Sequence, residues 1–192
     1  RSSDVDHNRS VVTFVGSPTS VSQAAFAAIS TAAELIDMDI HQGEHPRMGA
    51  TDVVPLVPLE GMTMLDCVQM ARTLGQRVGC RLGIPVYLYE QAAFRSDRSN
   101  LANIRRGEYE GIRDSIAVDP EIVPDFGPGI VKSAGVTAIG ARAPLIAFNV
   151  YLTTNDVRIA KLISKSIRHS SGGMPFVRAL GMLVGGLAQV SM

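Results

Sequence analysis

The chain has 192 residues, with 18 Lys and Arg balancing 18 Asp and Glu, and 46% of its residues are hydrophobic. That length can bury a core as one domain or as two small ones. A formal charge of zero without any Lys/Arg run excludes an electrostatic footprint for nucleic acid or for a membrane surface, no apolar run reaches the ~20 residues of a membrane span, and no secretory signal is visible.

Ser10 to Val15 is β-branched and aromatic, which predicts a strand. Gly16-Ser17-Pro18 resets the period: Ser17 can cap a helix and Pro18 suits its first turn. From Val21 the apolar positions Ala25, Phe26, Ile29, Ala32, Ala33 and Ile36 recur at three and four, predicting an amphipathic helix. Beyond the next loop, Val53 to Val57 reads as a strand that Pro55 confines to an edge. Thr63-x-x-Asp66 is a capping box with Asp in place of Glu, and the helix it opens carries Cys67, Met70, Leu74, Val78 and Leu82 on one face before stopping near Gly83. Ile84 to Tyr89 is a short apolar run, consistent with a buried strand. Strand, helix, strand, helix, strand at this spacing predicts an α/β (α+β) fold of split βαβ type, a mixed sheet with helices on one face.

Cys67 and Cys80 share one predicted helix, thirteen positions apart and therefore roughly 20 Å at 1.5 Å per residue. A disulfide needs Cα atoms within about 7 Å, so these two cannot pair with each other. Free thiols used as core fillers fit a reducing, cytoplasmic setting.

The run His41-Gln42-Gly43-Glu44-His45-Pro46-Arg47-Met48-Gly49-Ala50 sets two imidazoles, a carboxylate and a guanidinium on the connection between the first long helix and the Val53 strand. Titratable loops held by rigid elements are where chemistry tends to sit. His41-x-x-Glu44-His45 matches an H-x-x-E-H zinc pattern, but that chemistry needs both imidazoles on one helix face, and Gly43 and Pro46 oppose a helix. No metal is expected. A general base is the second reading, since imidazole titrates near neutrality, and a merely hydrogen-bonded or solvated histidine is the third.

Arg95 to Glu121 is charged and short of apolar periodicity; Asn100 to Arg106 reads as one helical stretch, and Arg105-Arg106 with Glu108 and Glu110 reads as a solvated surface. Pro124-Asp125-Phe126-Gly127-Pro128-Gly129 is a dense turn whose glycines admit close backbone approach, and with no G-x-G-x-x-G and no helix following it is not a dinucleotide loop. Leu145 to Leu152 predicts a strand and Asn155 to His169 a helix; Ser170 to Gly173 is a break, and Phe176 to Met192 is apolar with bends at Gly181, Gly185 and Gly186. His169 is expected at an exposed helix end. A boundary near Arg142 divides the chain into residues 1–142 and 143–192.

Gly43-Glu44-His45-Pro46-Arg47-Met48-Gly49-Ala50 resembles the signature of the formiminotransferase domain of formiminotransferase-cyclodeaminase and of the stand-alone bacterial glutamate formimidoyltransferases. Asn8-Arg9-Ser10-Val11, Pro85 to Tyr89, Arg106 to Gly111, Pro124 to Pro128 and Gly140-Ala141-Arg142 with Ala147-Phe148-Asn149 follow in the family's order, so the resemblance spans the chain. It implies transfer of the formimino group from N-formimidoyl-L-glutamate (formiminoglutamate) to N5 of tetrahydrofolate, in histidine degradation in the cytoplasm. Tetrahydrofolate is then a co-substrate rather than a resident cofactor, and the partners are small molecules. The resemblance further implies His45 as the catalytic base and the loop Gly127, Pro128, Gly129, Ile130, Val131, Lys132, Ser133, Ala134 and Gly135 as the folate-lining segment. In that loop this sequence is one residue short and has Ala134 where an aromatic often stands. Arg9 and Arg142 fall in family motifs and are expected to meet substrate carboxylates, bidentate arginine being the natural reader of such groups. His41 and Glu44 are expected to support the imidazole, with Glu108, Tyr109 and His7 as weaker site positions.

Against the family, residues 1–142 read as the N-terminal subdomain without its start, and 143–192 as the beginning of the C-terminal subdomain. A non-catalytic folate-binding or interaction protein keeping mainly the first subdomain, or a formyl-transferring variant, is the alternative. Family members tend to dimerise, which makes a homodimer an option to test.

Overall fold

The structure, a computed structural model, describes residues 1–5 and 7–192. They form two compact units, Arg1–Pro144 and Leu145–Met192.

In the first unit a short antiparallel hairpin pairs β1 (Ser2–Asp4) with β2 (Arg9–Val11). The strand expected over Ser10–Val15 stops at Val11 because its partner runs out at Ser2, the residue Val11 faces; Val12, Phe14 and Val15 are exposed beyond it. Helix α1 (Pro18–Leu35) begins where Ser17 accepts a hydrogen bond from the Ser20 amide and Pro18 supplies the first turn, and it buries Ala25 and Ile29.

The central sheet is parallel, in the order β3 (Val53–Leu56), β5 (Thr137–Ala141), β4 (Val86–Glu90). β3 lies at an edge, where Pro55 can be accommodated. β5 is buried along its whole length between two neighbours, as a parallel central strand should be. Helix α2 (Met64–Leu82) crosses from β3 to β4. Its start is the reciprocal box anticipated above: Thr63 Oγ1 accepts from the Asp66 amide and Asp66 accepts from the Thr63 amide. Its end is Gly83 at φ +62°, a left-handed cap.

The period-two geometry of β4 divides the core in two. Val86 and Leu88 face α1 and α2 together with Leu74, Val78 and Ile139; Tyr87 and Tyr89 face the other way, with Ala138, Met48, Ile104, Ile112 and Ile116. That second face is covered by two short helices, α3 (Leu101–Ile104) and α4 (Glu108–Ser115). The α/β (α+β) class is therefore found, with the long helices on one face and short ones on the other. Arg95–Glu121, expected to be largely a solvated surface, instead packs Ile104, Tyr109, Ile112 and Ile116 inward.

The second unit is an antiparallel sheet in the order β6 (Asn149–Tyr151), β8 (Leu187–Ser191), β7 (Leu180–Val184), with α5 (Val157–Ile167) packed on it. Asp156 caps α5 by accepting from the Arg158 amide. The apolar stretch after Phe176 is a β-hairpin turned at Gly185-Gly186, both at positive φ (+56° and +77°), which a two-residue hairpin turn requires. His169 is exposed after the end of α5. Among the described residues, no helix is long and apolar enough to cross a membrane, and Cys67 and Cys80 are both free, the first buried and the second exposed.

Candidate active site

The loop between α1 and β3 carries His45, and four sets of contacts hold it. At its start, Met38 donates its amide to the Ser133 carbonyl (2.7 Å) and is buried. In the middle, the β1–β2 hairpin docks: Asn8 Nδ2 donates to the Gln42 carbonyl (2.7 Å) and His41 Nε2 donates to the Asn8 carbonyl (3.0 Å). Gly43 permits this docking, because a Cβ there would lie 2.4 Å from the His7 carbonyl oxygen. On the α4 side, Arg47 donates to Glu110 (2.7 and 3.0 Å) and to the His41 carbonyl (2.9 Å), and its own carbonyl accepts from the Tyr109 amide. At its end, Gly49 bridges Gly135, Val136 donates to the Met48 carbonyl and Ala50 to the Ala134 carbonyl.

These contacts sort the expected residues. Ala134 and Gly135, the end of the 127–135 loop, are zipped to the His45 loop. The other end of that loop is anchored on α2: a Cβ on Gly79 would meet the Gly127 amide nitrogen at 2.6 Å. Gly127 itself is at φ +87°. Just before it, Asp125 pairs with Arg98 (2.9 Å), both side chains being about 95% buried (5% and 6% exposed), and accepts from the Leu88 amide. Glu108, Glu110 and Arg47 form an ion-pair group that fixes the loop, and the buried Tyr109 donates to Asp39 (2.8 Å). His41 belongs to the same framework. Glu44 is exposed and is not brought to either imidazole by any contact among the described residues.

His45 is half-buried. Its Nδ1 donates to the Pro46 carbonyl (2.7 Å); a carbonyl can only accept, so Nδ1 carries the proton of the neutral ring and the lone pair is left on Nε2. Burial, then the charges of Arg9 and Arg105, push its pKa down to about 4, against the weaker opposing pull of the Pro46 carbonyl and Asp52. The neutrally titrating imidazole expected from the sequence is thus a neutral imidazole throughout the physiological range. The His7 ring lies 6.0 Å from the His45 ring, is 8% exposed, and is held by Asp4, which accepts from both its Nδ1 (2.6 Å) and its backbone amide (2.8 Å).

Arg105, unremarkable in the sequence, is the residue sequence reasoning missed. It caps α3, forms a close ion pair with Asp52, and its charge acts on both His45 and Tyr89. Asp52 also accepts from the Met48 amide (3.0 Å), so one carboxylate ties Arg105 to the His45 loop. Arg142 follows β5 and hydrogen-bonds the Tyr89 hydroxyl, whose pKa burial raises. Arg9 stands on β2 with its guanidinium unpaired among the described residues. Among the described residues, no cluster of three or more His, Cys, Asp and Glu could hold a metal ion. A cavity of about 520 Å³ lies elsewhere in this unit, between α3, α4 and Tyr87, Arg98 and Ile122, and His45 does not line it.

The model of the formiminotransferase domain, N-terminal subdomain, matches residues 1–142. The chain belongs to this family. It is 51% identical over 193 residues to the glutamate formimidoyltransferase of Thermoplasma acidophilum, covering 98% of this chain and 63% of that protein. It is 47% identical over 194 residues to the glutamate formimidoyltransferase of Streptococcus pyogenes serotype M1, covering 100% of this chain and 64% of that protein. It is also 47% identical over 167 residues to the formimidoyltransferase-cyclodeaminase of Rattus norvegicus, covering 86% of this chain and 30% of that protein. The chain thus spans less than two thirds of the length of these relatives.

Proposed function

We propose that this formiminotransferase-family chain acts as a glutamate formimidoyltransferase, with tetrahydrofolate as co-substrate and His45 as its base. The observation that carries the reading is the His45 imidazole: its Nδ1 is committed to the Pro46 carbonyl, so a basic Nε2 stands beside the loop that ends at Gly135. The names of the relatives supply the reaction.

In that reaction N5 of tetrahydrofolate attacks the amidine carbon of N-formimidoyl-L-glutamate, forming a new N–C bond and a tetrahedral carbon. His45 Nε2 takes the proton that N5 loses. The same proton then passes to the glutamate nitrogen as its bond to the carbon breaks, so glutamate departs and the formimino group stays on N5. One neutral imidazole serves as base and then as acid, a contribution of roughly 10²–10⁴-fold. Residues 127–135 line the pterin, Arg9 and Arg142 meet carboxylates, and His41 holds the loop in register. Residues 1–142 are the N-terminal subdomain and 143–192 the start of the C-terminal one. A homodimer and a cytoplasmic role in histidine breakdown complete the reading.

The test is transfer from N-formimidoyl-L-glutamate to tetrahydrofolate by this chain and by His45→Ala, side by side. Turnover that vanishes in the variant supports the reading. Folate binding without turnover in either protein points to the binding-only alternative, and neither turnover nor binding rejects the assignment.

A further inference from the structure

A neutral imidazole with a pKa near 4 is available as a base but is a weak one, since a general base works best with a pKa close to the working pH. Two of the causes of that weakness are cations, Arg9 and Arg105, and cations are what an acidic substrate would cover. The two reach the imidazole from different elements: Arg9 from β2, docked through Asn8 onto Gln42, and Arg105 from the end of α3, held by Asp52. The remaining charged or titratable groups bearing on His45 are Asp52, paired with Arg105 and bonded to the Met48 amide, and His7, bonded to Asp4. Neither His7 nor Asp52 neutralises Arg9.

Arg105 is held at a cost. Its Nε is buried without a hydrogen-bond partner, and its side chain is about four-fifths buried (20% exposed). An unsatisfied donor of this kind calls for an explanation. Asp52 engages one Nη and leaves the other unassigned, so the guanidinium is fixed in place with donor capacity to spare. It also joins the two halves of the site, acting on His45 on one side and on Tyr89, where Arg142 bonds, on the other.

We propose that Arg105, clamped by Asp52, binds a carboxylate of an N-substituted amino dicarboxylate substrate together with Arg9, and that by covering both cations the substrate strengthens the base that acts on it. This deepens the transferase reading and rests on it for the identity of the acid. A substrate without the carboxylate would leave His45 weak, so specificity and base strength share one interaction.

The experiment uses N-acetyl-L-glutamate, which keeps both carboxylates and replaces the amidine with an inert amide. The His45 ring signals, assigned by their loss in His45→Gln, are followed by NMR through a pH titration with and without the probe. In the unsubstituted chain the probe is expected to raise the His45 midpoint by about one pH unit, the scale of a carboxylate beside an ionisable group. In Arg105→Gln the free-protein midpoint is expected to start higher, to move less with the probe, and the probe to bind about tenfold or more weakly. Arg105→Lys keeps the charge without the planar fork and guards against misfolding of the first variant: its free midpoint stays low while its affinity falls. Failure of the probe to bind the unsubstituted chain, or equal binding and an equal midpoint shift in both variants, overturns the proposal. Transfer activity is read separately. Arg105-dependent binding without turnover rejects the transferase reading and keeps the clamp; turnover with kcat/KM unaltered in Arg105→Gln rejects the clamp and keeps the transferase.

Discussion

His45 shows why residue identity alone does not define a base. The hydrogen bond to the Pro46 carbonyl chooses the tautomer, and burial with Arg9 and Arg105 chooses the charge state. Its folded pKa of about 4 lies below the ordinary 6.5, so between those values an unfolded chain binds a proton that the folded chain refuses. This residue's contribution to stability is therefore constant above about pH 6.5, falls as the pH drops from there toward 4, and levels off below. Denaturant midpoints measured across pH 4–7.5 should show a shallower acid loss in His45→Gln than in the unsubstituted chain; identical slopes would mean the imidazole is not depressed. In the transfer assay the same variant should lose roughly 10²–10⁴-fold in kcat with KM nearly constant. Asp125 poses a different residue-scale problem. Its carboxylate meets Arg98 in a dry site and also holds the Leu88 amide, while Arg98 stacks over Tyr87 and donates to the Val123 carbonyl. Removing one member of such a pair strands the other, so Asp125→Ala should lower the unfolding free energy by about 3 kcal/mol, measured by urea denaturation.

At the scale of elements, helices that advertise themselves with a cap and a dense apolar stripe were legible in the sequence. Ser17-Pro18 and Thr63-x-x-Asp66 mark the starts of α1 and α2, and Gly83 marks a stop. Helix α4 was not legible, because its cap is Gly107 at φ +87° without a side-chain acceptor and its inward positions are only Tyr109 and Ile112, with Ile116 just past its end. Arg105 was lost for the same reason: a charge on an unrecognised helix pair looks solvated until the helix is seen to pack. The His45 loop was recognisable as a motif, whereas its clamps at Asn8, Ser133 and Tyr109 are separated from it by tens of residues and follow no local pattern. Two glycines test how closely the elements are fitted. An alanine Cβ at Gly79 on α2 would press on the Gly127 amide and on Phe126 Cβ at 2.9 Å, so the gain in helix propensity of up to ~1 kcal/mol is outweighed by overpacking of ~1–3 kcal/mol. At Gly111 on α4 nothing lies within 4 Å and the backbone is helical, so the propensity gain stands alone. Gly79→Ala should therefore lower the urea midpoint and Gly111→Ala should raise it; the same sign for both would contradict the packing described for the 127–135 loop.

The whole molecule has two units with separate cores, and a single thiol pair reports on one of them. Cys67 and Cys80 share α2, yet Cys67 is 1% exposed within the cluster of Leu74, Val78, Leu88 and Ile139, while Cys80 faces solvent. Desolvation, helped by Asp66, also raises the Cys67 pKa, which lowers its thiolate fraction. An alkylating reagent should thus modify Cys80 promptly under native conditions and reach Cys67 only when the unit carrying the His45 loop opens. Mass spectrometry should find one adduct per chain in buffer and two in denaturant. The rate of the second modification should follow the opening equilibrium of the first unit when closing is fast relative to labelling. Asp125→Ala and Gly79→Ala, which weaken that unit, should accelerate Cys67 modification in proportion to their loss of stability, and Gly111→Ala should retard it. A substitution in the other unit, such as Gly185→Val at its β7–β8 turn, disturbs a core that Cys67 does not belong to and is expected to leave the Cys67 rate unaltered. An equal acceleration by all of them would mean that the two units unfold as one.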